Sequence, residues 1–98
     1  MPTKEEIIEA LKTIEDPELF LDIWFLGLIY GIGVDEDLNE VDIEMTFTTP
    51  ACPAAPSLVE EVHTKVGALP DVKKVNVNIT FTPPWEPSDD VKAMLGMI

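Results

Sequence analysis

The sequence predicts an α/β (α+β) fold: one small domain ordered α-β-β-α-β, with a further C-terminal helix, around a small mixed three-stranded sheet. Two stretches alternate apolar and polar residues, as half-buried strands do, and others repeat apolar residues at helical spacing. The 98 residues, 46% of them hydrophobic, suit a single core and leave no room for a second. We therefore interpret residues 1–98 as one domain.

The first helix is predicted by a capping box and an apolar face. Thr3 is followed three residues later by Glu6, the spacing at which each side chain bonds to the other's backbone. One helical face then carries Ile7, Leu11 and Ile14. The helix should end near Thr13, and Asp16 should lie in a turn because a residue before proline is pushed out of helical geometry.

Two strands joined by an acidic turn come next. Residues 26–34 are typical of a strand whose glycines mark bends or close backbone approaches. The clearest strand follows, with a buried face of Val41, Ile43, Met45 and Phe47 and a solvated face of Asp42, Glu44, Thr46 and Thr48. The short segment Asp35-Glu36-Asp37 between the two strands predicts an antiparallel hairpin.

The second helix leads to the third strand. Its apolar stripe consists of Leu58, Val62, Val66 and Leu69. Its start is open: either Cys52 is the N-cap and Pro53 the first helical residue, or the helix begins near Pro56. The third strand places Val75, Val77, Ile79 and Phe81 on the face that shares the core, reached through a βαβ crossover.

Ser88 can cap a last helix, with apolar residues on one side at Val91, Met94, Leu95 and Ile98.

Charge and hydropathy exclude several classes of partner. Six basic and nineteen acidic side chains give a net charge of −13, which repels nucleic acid and anionic membranes. No apolar run approaches the roughly 20 residues that a membrane span needs, and the segment 1–6 lacks the apolar stretch of a secretory signal. We expect a cytoplasmic protein with no nucleic-acid or membrane partner.

The only cysteine, Cys52, lies where a strand pattern stops and a helical one begins. Free N–H groups at a helix start favour the thiolate, which attacks electrophiles and binds metals; a packed, inert thiol is the alternative. A Cys–His enzyme would use His63, but along a helix starting near Cys52 that imidazole lies roughly 16 Å away. A mononuclear metal site of Cys52, Asp16 and Glu18 is a third possibility, without diagnostic spacing.

Four motifs together resemble a known family. They are Asp16-Pro17-Glu18-Leu19, Leu26-Gly27-Leu28-Ile29-Tyr30, Met45-Thr46-Phe47-Thr48-Thr49-Pro50 with Cys52-Pro53, and Pro83-Pro84-Trp85-Glu86-Pro87. In this order and spacing the chain is similar to the small iron–sulfur cluster assembly family of SufT, the phenylacetate-pathway protein PaaD and the eukaryotic cytosolic iron–sulfur targeting factors. The resemblance implies that family's fold, a role in maturing iron–sulfur proteins, and a site formed by Asp16, Glu18, Thr48, Thr49 and Cys52, with Trp85 as a weaker addition.

The resemblance also implies which cofactor and partners to expect. Iron–sulfur clusters are usually held by four thiolates, so one chain cannot enclose a cluster by itself. One possibility is a labile cluster shared between the two subunits of a homodimer, with a client or with a thiol cofactor. The other, which we expect, is a carrier or adaptor in which Cys52 transiently engages iron, sulfur, or iron–sulfur apoproteins and assembly machinery. The alternatives are a PaaD-like accessory protein of an oxygenase complex and a cysteine-nucleophile enzyme. Trp85 is interpreted first as a lid on its own domain and second as a partner contact.

Overall fold

The computed structural model describes residues 2–48 and 53–96. Within them the order of elements is α1 (Lys4–Leu11), β1 (Ile29–Asp35), β2 (Glu40–Met45), α2 (Ala55–Gly67), β3 (Lys74–Ile79) and α3 (Asp89–Leu95). This confirms the predicted fold class. Among the same residues, no helix is both long and apolar enough to cross a membrane.

The capping box at the start of α1 forms as predicted. The Glu6 N–H donates to Thr3 Oγ1 at 3.2 Å, and the Thr3 N–H donates to Glu6 Oε1 at 3.1 Å. These bonds satisfy two of the backbone donors that a helix start leaves free. The helix ends at Leu11, slightly before the predicted Thr13, whose hydroxyl instead donates to the Ala10 carbonyl at 2.6 Å.

The sheet has the strand order β1-β2-β3 and is mixed, as predicted. β1 pairs antiparallel with β2, and β2 pairs parallel with β3 through the α2 crossover. The hairpin turn is held by Asp35 Oδ1, which accepts from the N–H groups of Asp37 and Leu38 at 3.0 and 3.1 Å. β1 begins at Ile29 rather than at residue 26, because Gly27 has a φ of +77° that an extended strand does not adopt.

The predicted core is correct for β2 and only partly correct for β3. Val41, Ile43, Met45 and Phe47 are buried. Val75 is buried as well, and Val77 packs against the core. Ile79 and Phe81 are each 41% exposed, so the prediction is wrong for Ile79; the Phe81 ring still contacts the buried Phe47, with ring centroids 6.4 Å apart. The helix of a βαβ unit runs antiparallel to its strands, so α2 begins near the end of β3 at which Ile79 lies.

The alternation in β2 also stops earlier than predicted. Thr46 was expected on the solvated face, but it is buried. Its N–H donates to the Leu28 carbonyl at 2.8 Å, and the Met45 carbonyl accepts from the Thr80 N–H at 3.0 Å. Because the chain leaves regular strand geometry after Met45, the alternation of two faces no longer applies to Thr46.

The start of the second helix agrees with one of the two predicted alternatives. α2 begins at Ala55 with Ala54 as its N-cap, so the start near Pro56 is confirmed to within one residue and the alternative with Cys52 as N-cap is wrong. Ser88 caps α3 as predicted, its Oγ accepting from the Val91 N–H at 3.2 Å. Val91 is buried but Met94 is 64% exposed, so the predicted apolar stripe is wrong at Met94; Ile98 lies outside the described residues.

Candidate functional site

Asp16 is a buried carboxylate whose contacts are with the backbone of its own turn. It is 2% exposed, and its Oδ1 accepts from the N–H groups of Glu18 and Leu19 at 2.8 and 3.2 Å. This is the turn-stabilising arrangement in which an aspartate bonds to the backbone two residues on. Glu18 is exposed, so of the two carboxylates in this motif it is the one that faces solvent.

Backbone bonds close the rest of this loop. The Phe20 N–H donates to the Asp16 carbonyl at 2.8 Å, and the Asp16 N–H donates to the Leu21 carbonyl at 3.0 Å. A single antiparallel bridge joins Glu15 and Asp22 across its base. The segment 16–21 is therefore a closed, hydrogen-bonded loop that presents Glu18 at the surface.

The second part of the predicted site follows β2. Thr48 is half-buried three residues beyond the last strand residue, Met45. Thr49 and Cys52 lie outside the described residues. The described residues therefore give the positions of Thr48, before Cys52, and of Ala54, the N-cap of α2, after it. That Asp16, Glu18, Thr48, Thr49 and Cys52 form one site stays a prediction.

Trp85 links two of the sequence motifs. Its indole N–H donates to the Leu26 carbonyl at 2.6 Å, and the half-buried ring packs against the core. An added Cβ at Gly27 would lie 3.9 Å from Trp85 Nε1. Nearby, the Tyr30 hydroxyl donates to the Pro83 carbonyl at 2.9 Å. These contacts agree with the interpretation of Trp85 as a lid, because its polar atom is bonded inside its own domain.

The described residues contain no group of three metal-binding side chains, and the histidine among them is exposed. Between residues 2–48 and 53–96, no three His, Cys, Asp or Glu side chains are grouped so that they could hold a metal ion. His63 is exposed on α2, about 12 Å along the helix axis from Ala55. Since Cys52 lies outside the described residues, the Cys52–His63 pair stays the alternative that the sequence left open.

One exposed residue was not identified from the sequence. Phe20 is 76% exposed and has a φ of 58°, the left-handed region that favours glycine. The segment from Leu19 to Phe25 is apolar except for Asp22, so its pattern did not reveal which side chains face inward. The only signal in the sequence was its place two residues after the Asp16-Pro17-Glu18 turn.

Comparison with known proteins gives a consistent result. The sequence model of a family described as iron–sulfur cluster assembly protein matches residues 4–79. The chain is 46% identical to the Fe–S protein maturation auxiliary factor YitW of Bacillus subtilis, over 84% of this chain and 79% of that protein. It is 39% identical to the Fe–S protein maturation auxiliary factor SufT of Staphylococcus aureus, over 71% of this chain and 78% of that protein.

The fold also matches a solved structure. A crystal structure of a domain of unknown function from Bacillus anthracis matches with a TM-score of 0.86 at 34% identity, covering 97% of this chain and 92% of that one. The resemblance inferred from the four sequence motifs is thereby confirmed.

Proposed function

The chain belongs to the iron–sulfur cluster assembly protein family and serves in the assembly or maturation of iron–sulfur proteins, and on that premise we propose that it is a carrier or adaptor working through Cys52. Its partners in this proposal are iron–sulfur apoproteins or the machinery that loads them. The cluster is cargo in this role, and it resides on the chain only in transit.

The observation that carries the proposal is the presence of one cysteine in the whole sequence. Clusters usually need four thiolates, so a lone thiol favours exchange over storage. A labile cluster would be completed by a second subunit, by a client or by a small thiol. Each of these leaves Cys52 free to pass its ligand on, because a single thiolate is not a chelating cage.

The other residues of the proposed site have separate tasks. Glu18, exposed beside the buried Asp16, is available to contact a client or an incoming metal. Asp16 shapes the loop that presents Glu18. Thr48 and Thr49 supply hydroxyl groups on the segment before Cys52. The Trp85 indole N–H donates to the Leu26 carbonyl and thereby connects the C-terminal segment to the rest of the domain.

Anaerobic reconstitution with iron and sulfide, followed by transfer to an apo acceptor enzyme, tests this proposal. Serine preserves the size of Cys52 but does not ionise near neutral pH, so Cys52→Ser should slow transfer at least tenfold while leaving the far-UV circular dichroism unchanged. The matched control is His63→Gln, which removes another metal-binding side chain at an exposed position and should transfer normally. Transfer by Cys52→Ser at the wild-type rate would contradict the proposal.

The same assay separates a general carrier from a PaaD-like accessory protein of one oxygenase complex. A general carrier should load two unrelated apo acceptors at comparable rates. Transfer confined to a single oxygenase component would favour the accessory role instead.

A further inference from the structure

Phe20 stands apart from the other apolar residues of its loop. At 76% exposure it is the most exposed large hydrophobic side chain among the described residues. Leu19 and Leu21, on either side of it, pack against the core. The loop therefore turns one aromatic ring outward between two residues that face inward.

The backbone gives no reason for phenylalanine at this position. Its φ of 58° lies in the left-handed region, where Gly, Asn and Asp are favoured and a bulky side chain is strained. The bonds from the Phe20 N–H to the Asp16 carbonyl and from the Asp16 N–H to the Leu21 carbonyl hold it there. Neither local conformation nor core packing favours an aromatic ring at position 20, and strain of this kind is typical of functional positions.

The charges in the same loop are of one sign. Glu15 and Glu18 are exposed. Asp22 is partly exposed, its backbone bridges to that of Glu15 across the loop base, and its Oδ1 accepts from the Phe25 N–H at 2.8 Å. The sequence has no lysine or arginine between Lys12 and Lys65. An apolar centre bordered by carboxylates is complementary to an apolar pocket bordered by cations, and a cation can also sit over the ring itself.

We propose that Phe20, together with the acidic residues of the same loop and its base, Glu15, Glu18 and Asp22, is the anchor of a protein-docking surface, here called the Phe20 surface. Its occupant is a partner protein that presents an apolar pocket rimmed by Lys and Arg. The inference rests on the adaptor role proposed above and gives the chemistry of the apoprotein or assembly partner. Because hydrogen bonds already fix the loop, little ordering is needed when the ring enters the pocket.

A stability measurement first separates docking from packing. Asparagine tolerates the left-handed region, so Phe20→Asn should leave the Tm unchanged or raise it by roughly 2–4 °C. The matched control is Leu38→Asn, another exposed apolar residue, 60% exposed, in the acidic hairpin turn. A Tm of Phe20→Asn clearly below that of wild type would show that the ring supports the fold and would overturn the proposal.

Binding is then measured with a partner captured at the surface. A photo-crosslinking benzoylphenylalanine is placed at position 20, and at position 38 in the control, in cells that produce the protein. The protein captured at position 20 is purified in its apo form, and its Kd is measured for wild type, Phe20→Asn and Leu38→Asn at 50 and 500 mM NaCl. Phe20→Asn should weaken binding at least tenfold and Leu38→Asn less than twofold, and the higher salt should slow association.

Four outcomes would overturn the proposal of the Phe20 surface. They are equal capture at both positions, capture only of a second copy of this chain, an equal Kd for wild type and Phe20→Asn, and an association rate that does not change with salt. Failure of the adaptor role is distinguishable from these. Cys52→Ser should bind the partner and not transfer a cluster, whereas Phe20→Asn should transfer only at raised concentrations. Binding that depends on Phe20 without any cluster transfer by wild type would leave the docking surface intact and remove the carrier function.

Discussion

Replacing Asp16 tests how the loop that presents Glu18 is built. Asp16→Ala removes the acceptor of two backbone hydrogen bonds, at 2.8 and 3.2 Å, from a site that is 2% exposed. At about 1–1.5 kcal/mol for each bond, the free energy of unfolding should fall by about 2–3 kcal/mol. For a domain of this size that corresponds to a decrease in Tm of about 10–20 °C.

Thermal unfolding followed by circular dichroism measures this effect, and Asp16→Asn is the matched control. Asparagine keeps an oxygen at the Oδ1 position, so its free energy of unfolding should stay within about 1 kcal/mol of wild type. Asp16→Ala melting within 2 °C of wild type would refute the turn-stabilising role. If Asp16→Asn is stable but no longer supports client maturation, the negative charge of Asp16 acts in the site as well.

Two further predictions concern packing, and urea unfolding checks both. Trp85→Phe leaves the Leu26 carbonyl without its donor and should lower the free energy of unfolding by about 1–2 kcal/mol, whereas Tyr30→Phe, which removes a more exposed bond, should cost less than about 0.5 kcal/mol. A larger cost for Tyr30→Phe would reverse this ranking. Ile43→Asp buries an unpaired charge in a fully buried position and should unfold the domain, whereas Ile79→Asp, 41% exposed, should remain folded. Unfolding of both variants would mean that the end of β3 is covered after all.

Local signals in the sequence predicted most of the fold. The capping box of Thr3 and Glu6 and the alternation through Ile43 depend on neighbouring residues alone, and both are present in the structure. The exposure of Ile79 could not be predicted from neighbouring residues alone. Alternation identifies the face on which Ile79 lies, but tertiary packing determines how far along β3 that face is covered, and Ile79 is 41% exposed.

In the candidate site, too, the sequence predicted what depends on neighbouring residues and missed what depends on tertiary contacts. The Asp16-Pro17 pair predicted a turn, because proline restricts the residue before it and aspartate bonds to its own backbone, and the structure contains that turn. The indole bond to Leu26 joins residues 59 positions apart, a distance over which sequence patterns carry no geometric information. Phe20 was missed because an apolar residue in an apolar run does not reveal its direction before the loop is folded.

The central claim is that Cys52 carries the function while His63 does not. Its most direct measurement is the activity of a client iron–sulfur enzyme in cells whose only copy of this protein is wild type, Cys52→Ser or His63→Gln, with the abundance and Tm of each variant determined in parallel. We predict that Cys52→Ser abolishes maturation of the client at normal stability and that His63→Gln retains nearly all of it. Equal loss in both variants, with both still folded, would contradict the carrier role and indicate a catalytic Cys–His pair.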